Sequence, residues 1–213
     1  MSLHTHTLFF IITHTLFSVL NSRHVSDIRI LERRYTLTKT GYKYLNVGID
    51  VRPPARAIIT LGDRNSREIN LSYDTWKELL VQKNTILSHL QEYADKWTPV
   101  VPLVLRIKQL KLCLSRINNL PILRIESSNV RLSMSRGTVI YMFNLEHCVN
   151  RLMFSLNTIL GDVDRKMTRL NAIASTVAKP TDILKTIHDD SSFDRNDIID
   201  CELTALLYGE MYD

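Results

Sequence analysis

The amino-acid sequence predicts an α+β fold built from two repeats, each a four-stranded antiparallel sheet followed by a helix. The repeats are expected to be related by a pseudo-two-fold axis and to end in an acidic C-terminal tail. Three observations lead there. Groups of short, β-branched or alternating runs give way twice to a longer apolar run at helical spacing. The tetrapeptide Asn-Thr-Ile-Leu occurs late in each helical run, at Asn84–Leu87 and at Asn157–Leu160. The chain has 213 residues, 45% apolar and 23% charged, an ordinary globular composition that suffices for one sizeable core or two small ones.

Residues 1–25 stand apart from the repeats. Leu8–Leu20 is an apolar run of signal-peptide length, shorter than the about 20 residues a bilayer span needs. No basic residue precedes it, no small-residue cleavage site follows it, and Thr-His-Thr-Leu-Phe occurs twice, at Thr5–Phe9 and Thr13–Phe17. A signal, an anchor and an artefact at the start of a gene model are all left open.

The first repeat is placed at 26–98. Its strands are Asp27–Leu31, Tyr42–Val51, Ala55–Leu61 and Arg67–Leu71, separated by the turn-rich Thr38–Gly41, by Pro53 and Pro54, and by Gly62–Ser66. Its helix begins near Tyr73 with Ser72 as N-cap and Asp74 and Glu78 near the positive end of the dipole. Trp76, Leu79, Leu80, Ile86, Leu87 and Leu90 form its apolar side. The second repeat, at 99–178, has strands at Leu103–Leu114, bent at Gln109, and at Ile122–Glu126, Asn129–Met134 and Thr138–Phe143. Its helix starts near Leu145, carries Val149, Leu152, Met153, Leu156 and Val163 on one side, and runs past Gly161 towards Ile173. Superposing the two Asn-Thr-Ile-Leu segments aligns Leu79 with Leu152 and Ile58 with Arg131, each 73 residues apart.

Period-two alternation gives each sheet an apolar face for its helix and a polar face. In the second strand, Leu45, Val47, Ile49 and Val51 share one side, with Tyr42, Tyr44, Asn46, Gly48 and Asp50 on the other. In the second repeat Arg106, Lys108, Lys111, Arg124 and Arg131 alternate with apolar residues and turn outward.

Charge is unevenly spread. Residues 1–99 carry 13 Lys/Arg against 9 Asp/Glu, residues 100–180 carry 12 against 4, and residues 181–213 carry 2 against 9. A basic body with an acidic end suits a polyanion binder. The tail, 179–213, interleaves its acids with Phe193, Ile198, Ile199, Leu206, Leu207 and Tyr208. It either occupies the binding face, docks a protein partner, or forms a short helix over Asp197–Tyr208. Cys113, Cys148 and Cys201 are odd in number and far apart, which fits buried thiols in a reducing compartment better than a disulfide framework.

No catalytic or metal-binding spacing such as Cys-x-x-Cys, His-Glu-x-x-His or Gly-x-Ser-x-Gly occurs, and four of the seven histidines fall in the first 24 residues. The expectation is a protein that is not an enzyme and needs no cofactor, metal or small-molecule substrate.

The stretch Tyr35–Tyr93 carries Ile49-Asp-Val-Arg52 and the pattern Ile69-x-Leu71-x4-Trp76-x2-Leu79. In these it resembles the C-terminal domain of the positive cofactor four family of transcriptional coactivators. The resemblance implies a four-stranded antiparallel sheet with a helix, dimeric pairing and single-stranded DNA binding. A duplicated unit in one chain is similar to the Whirly proteins of plants. Pro53, Pro54 and Ala55 stand where the family has a DNA-contacting aromatic after Arg52, and the second repeat lacks the motif. Tyr42 and Tyr44, flanking Lys43, lie where the resemblance puts the family's other aromatic contact, and Trp76 corresponds to a core tryptophan.

The expected function is single-stranded nucleic-acid binding, DNA favoured over RNA, in transcription, replication or genome maintenance, in the nucleus or another DNA-containing compartment. Tyr42 and Tyr44 would supply stacking rings. Lys43, Arg52, Arg56, Arg106, Lys108, Lys111, Arg124, Arg131 and Arg136 would supply the phosphate track. A protein partner on 181–213 and further copies of the chain are left open, and no role is assigned to a membrane. The alternative is a protein-interaction or structural module that keeps the fold without binding nucleic acid.

Overall fold

The computed structural model describes residues 28–95, 104–118, 120–177 and 180–212, so the segment 1–25 lies outside the described residues. Strands β1 (Arg29–Thr36), β2 (Lys43–Asp50), β3 (Arg56–Asp63) and β4 (Glu68–Leu71) form one four-stranded antiparallel sheet in that order. Strands β5 (Val104–Ile107), β6 (Leu110–Ile117), β7 (Leu120–Ser127) and β8 (Val130–Ser135) form the second, again in sequence order. Helices α1 (Tyr73–Val81) and α2 (Lys83–Asp95) follow the first sheet, and α3 (Arg136–Asn144) and α4 (Glu146–Thr176) follow the second. Helices α5 (Pro180–Asp189) and α6 (Ile198–Tyr212) occupy the C-terminal segment. The α+β class with two repeats is therefore observed.

Three expected elements differ. Thr138–Phe143, expected as a strand from its β-branched and aromatic content, is helical in α3. The Ser135 side chain accepts a hydrogen bond from Thr138 N at 3.3 Å, and the two hydroxyls share another at 2.9 Å. This cap satisfies an otherwise orphaned amide and overrides strand propensity. Thr138, Val139, Met142 and Phe143 are then buried at helical spacing. Second, the single helix expected from Tyr73 breaks into α1 and α2 at Gln82, whose N–H donates to the carbonyls of Glu78 and Leu79. Third, Leu103–Leu114 is a hairpin, with Ile107 opposite Leu110 and a positive φ of 50° at Lys108. The change of phase at Gln109 marks a turn.

The repeat register also differs from the one the tetrapeptide suggests. Ser72 caps α1 through Thr75 as Ser135 caps α3 through Thr138, 63 residues on. The β-pairs Ile59–Leu71 and Leu61–Ile69 match Leu123–Met134 and Ile125–Leu132. At this spacing buried Trp76, Leu79, Ile86 and Leu90 correspond to buried Val139, Met142, Val149 and Met153. Asn84 falls at the start of α2 and Asn157 in the middle of α4, so the two Asn-Thr-Ile-Leu segments are not equivalent.

Compact units do not follow the repeat boundary. One unit comprises 32–48 and 57–156, the other 49–56, 157–213 and the chain up to Leu31. In the first of these, α2 lies across β6 and β7, with α3 against β7 and β8. The apolar face Ile107, Leu110, Leu112, Leu114, Leu123, Ile125, Leu132 and Met134 is buried, as are Ile86 and Leu90 of α2. Each such aliphatic side chain contributes about 1.5–3 kcal/mol by leaving water. The helix covering the second sheet thus includes one from the first repeat, which corrects the expectation that each sheet is covered by its own helix. Trp76 is fully buried and its indole N–H donates to Asn150 Oδ1 at 3.3 Å.

In the other unit, Val163, Met167 and Leu170 of α4 are buried together with Leu184, Ile187, Ile199 and Leu203 of α5 and α6. Asp164 accepts from Ala55 N at 2.8 Å and Glu202 from Leu31 N at 3.2 Å. Among the described residues no helix is long and apolar enough to cross a membrane.

Candidate nucleic-acid interface

With the apolar face of the second sheet covered by helices, alternation leaves its other face to a set of polar side chains. Strand register aligns them in rows. Arg106 lies opposite Lys111, Lys111 opposite Glu126, and Glu126 opposite Arg131. Four strands about 4.8 Å apart make this row about 14 Å long. In the next row Cys113 faces Arg124 and Arg124 faces Ser133, and behind it Ser115 faces Ile122 and Ile122 faces Ser135. Arg136 follows Ser135 as the exposed first residue of α3. Of the residues expected to form the phosphate track, the structure brings Arg106, Lys111, Arg124 and Arg131 onto one face.

Glu126 holds the middle of the first row. Its carboxylate pairs with Arg131 at 2.8 Å and with Lys111 at 3.6 Å, and its side chain is 21% exposed against 64% and 43% for those partners. Arg124 Nε and Ser115 Oγ are buried on this face with no hydrogen-bond partner. Lys108 sits in the β5–β6 turn and pairs with Glu78 of α1 at 3.5 Å, outside the rows. None of the residues in these rows is aromatic.

The expected residues of the first sheet are committed to internal pairs. Tyr44 is buried, which removes it as a ring on which a base could stack. Its hydroxyl donates to Glu68 at 2.9 Å, and the Arg34 guanidinium lies 4.0 Å from its ring centroid. The ring lies so close over Gly62 that a Cβ there would come within 2.4 Å of it. Arg34 also donates to Asn46, whose amide donates to Glu32, and Thr60 donates to Asn70. The alternation of β2 was correct, yet Tyr44, Asn46, Gly48 and Asp50 are buried on the side expected to be open. Half-buried Tyr42 accepts from Asn65, and Lys43 lies 5.3 Å from its ring centroid.

Lys43 pairs with the buried Asp63 at 3.6 Å, as Arg67 does at 2.6 Å. Burial lowers the Lys43 pKa despite the attraction of Asp63, and the neighbouring Arg67 charge lowers it further. Burial alone would raise the pKa of Asp63, but hydrogen bonds from Arg67 and the Asn65 N–H, with the Lys43 charge, hold it below its ordinary value. Asp50 is likewise held low against burial by Arg52 and Arg56. Arg52 donates to both Asp50 oxygens at 2.7 and 2.6 Å, and Arg56 pairs with the same carboxylate at 2.9 Å.

Sequence reasoning missed Glu126, Cys113, Ser115 and Ser133 as members of the face. The signal was present, since each is two residues from a cation or serine of the same strand face, but a search for basic residues passes over them. The C-terminal acids are also committed. Asp200 is buried and pairs with Arg169 at 2.6 Å and Lys166 at 3.2 Å, and Asp197 pairs with Lys166 at 2.9 Å. Among the described residues no three His, Cys, Asp or Glu side chains gather to hold a metal ion. No protein-family model matches the chain, and no curated protein matches it.

Proposed function

We propose that this chain is a non-catalytic single-stranded nucleic-acid-binding protein, preferring DNA, that acts in transcription, replication or genome maintenance in a DNA-containing compartment such as the nucleus. The carrying observation is the row of Arg106, Lys111 and Arg131, with Arg124 behind it, on the uncovered face of the second sheet. The likeness of Ile49–Arg52 and Ile69–Leu79 to the positive cofactor four family supports the same reading, as does the Whirly-like doubling of the unit. Without a stacking ring in the rows, affinity rests on phosphate contacts, so binding is tolerant of sequence and sensitive to salt.

Fluorescence anisotropy with a labelled ~30-nucleotide single strand and the matching duplex, over a salt series, tests this. Three or four neutralised phosphates give a slope of log affinity on log salt of about −2 to −3 for a single strand. The double variant R106Q/R131Q removes two surface cations and is expected to bind more weakly, with a slope shallower by about 1.4. Unchanged affinity and slope in that variant would remove this face from the site.

A second reading, an interaction or structural module without nucleic-acid affinity, draws on the internal pairing of the first sheet's polar side chains. It predicts no single-strand binding even at low salt, with a partner on the acidic segment or on the exposed apolar residues Val81, Tyr141 and Phe154 of the helices.

A further inference from the structure

We infer that Glu126 is a resident anion of the cationic row, occupying the position that a phosphate takes when nucleic acid binds. This rests on the proposed binding face and specifies how that face is regulated. Glu126 is opposite Lys111 on one side and Arg131 on the other, so its carboxylate lies between the two cations that a backbone phosphate would bridge. Both ion pairs are formed, at 3.6 and 2.8 Å. A cation already pinned by a carboxylate has lost its rotamer freedom before any ligand arrives. Arg131 is thereby held over the sheet in an orientation suited to an oxyanion, while its charge is cancelled until a competitor displaces Glu126.

The arrangement favours a ligand with several linked phosphates over a single anion. One free phosphate must displace Glu126 with nothing gained elsewhere. A strand that also engages Arg106 at the end of the row adds a contact that does not compete with Glu126. Glu126 is therefore a selectivity residue for polyanions as well as a brake on affinity.

The test is the isosteric variant Glu126→Gln in the full chain, measured beside the wild type with the same labelled single strand and, as competitor, inorganic phosphate. The Gln variant is expected to bind the strand about two- to fivefold more tightly at low salt, the range of one surface charge pair, with a salt slope steeper by about 0.7. Inorganic phosphate should compete better against the variant than against the wild type. The gain should vanish in the R131Q background. Glu126→Thr, neutral and suited to a strand, gives the same comparison if the Gln variant loses its circular dichroism signature.

Wild-type binding that depends on Arg106 and Arg131 but is unchanged or weakened by loss of Glu126 would overturn the resident-anion role and leave the binding face standing. Binding by the Gln variant alone would mean that the carboxylate masks the face completely, which supports the inference. Absence of binding by both at low salt would overturn the binding face and this inference with it.

Discussion

At the scale of single residues, four carboxylates share one arrangement. Asp50 holds Arg52 and Arg56, Asp63 holds Lys43 and Arg67, Glu126 holds Lys111 and Arg131, and Asp200 holds Lys166 and Arg169. Each triad keeps a net positive charge while giving its most buried member two charged donors, which a buried carboxylate needs to stay ionised. The consequence is an acid-sensitive stability. Asp50 and Asp63 hold their protons less tightly in the folded chain than their ordinary value of 3.8 implies. Their contribution is thus full above that value and is lost as pH falls below it through the folded pKa. Urea midpoints measured from pH 7 down to pH 2 should decline most steeply below about pH 4. The variant D63N should be less stable than wild type at pH 7, with the gap narrowing in acid. A gap that stays constant across the range would show that Asp63 contributes through something other than its charge.

At the scale of elements, the caps and the covering helices decide what alternation leaves open. Lys83 and Glu146 are the first residues of α2 and α4 and lie 63 residues apart, the spacing at which the repeats correspond. They pair with each other at 3.2 Å. Equivalent positions that touch each other mark the pseudo-two-fold axis, where a true homodimer would place two identical residues. Joining the repeats in one chain lets that self-contact become an ion pair. The variant K83E, which sets two carboxylates face to face, should lower the thermal midpoint, and the exchange K83E/E146K should restore it. The coupling between the two sites should be about 0.5–1 kcal/mol, as expected for partly exposed groups. Additive effects would remove Lys83 and Glu146 from the axis. The same elements show what was legible in the sequence. Strands at Tyr42–Val51, Ile122–Glu126 and Asn129–Met134 were readable because one face of each is apolar at period two. Thr138–Phe143 was not, because its composition favours a strand and only a hydroxyl two residues upstream, at Ser135, commits it to a helix. The face of Arg106, Lys111, Arg124 and Arg131 followed from alternation alone. Burial of Tyr44 did not, since it depends on Arg34, Gly62 and Glu68, which meet it only in the folded sheet.

At the scale of the whole molecule, the repeats are a sequence unit without being a folding unit. The apolar face of the second sheet is closed in part by α2, whose Ile86 and Leu90 are fully buried and whose sequence belongs to the first repeat. A fragment spanning 99–178 would keep all four strands and lose that helix, leaving part of the face of Leu112, Leu114, Leu123 and Ile125 to water. Losing burial of even two large aliphatic side chains costs about 3–6 kcal/mol, comparable with the whole stability of a small domain. The fragment 26–98 would keep α2 and lose the sheet it covers. Neither fragment should therefore fold alone, whereas mixing the two should restore the pairing that the intact chain enforces at high effective concentration. Amide dispersion in nitrogen-15 correlation spectra would report this: collapsed for each fragment, dispersed for the mixture. A dispersed spectrum from 99–178 by itself would mean that α3 and α4 suffice to close the second sheet. In that case the contribution of α2 would be an addition to a fold already complete, and the divergence of the two repeats could have preceded any dependence of one on the other.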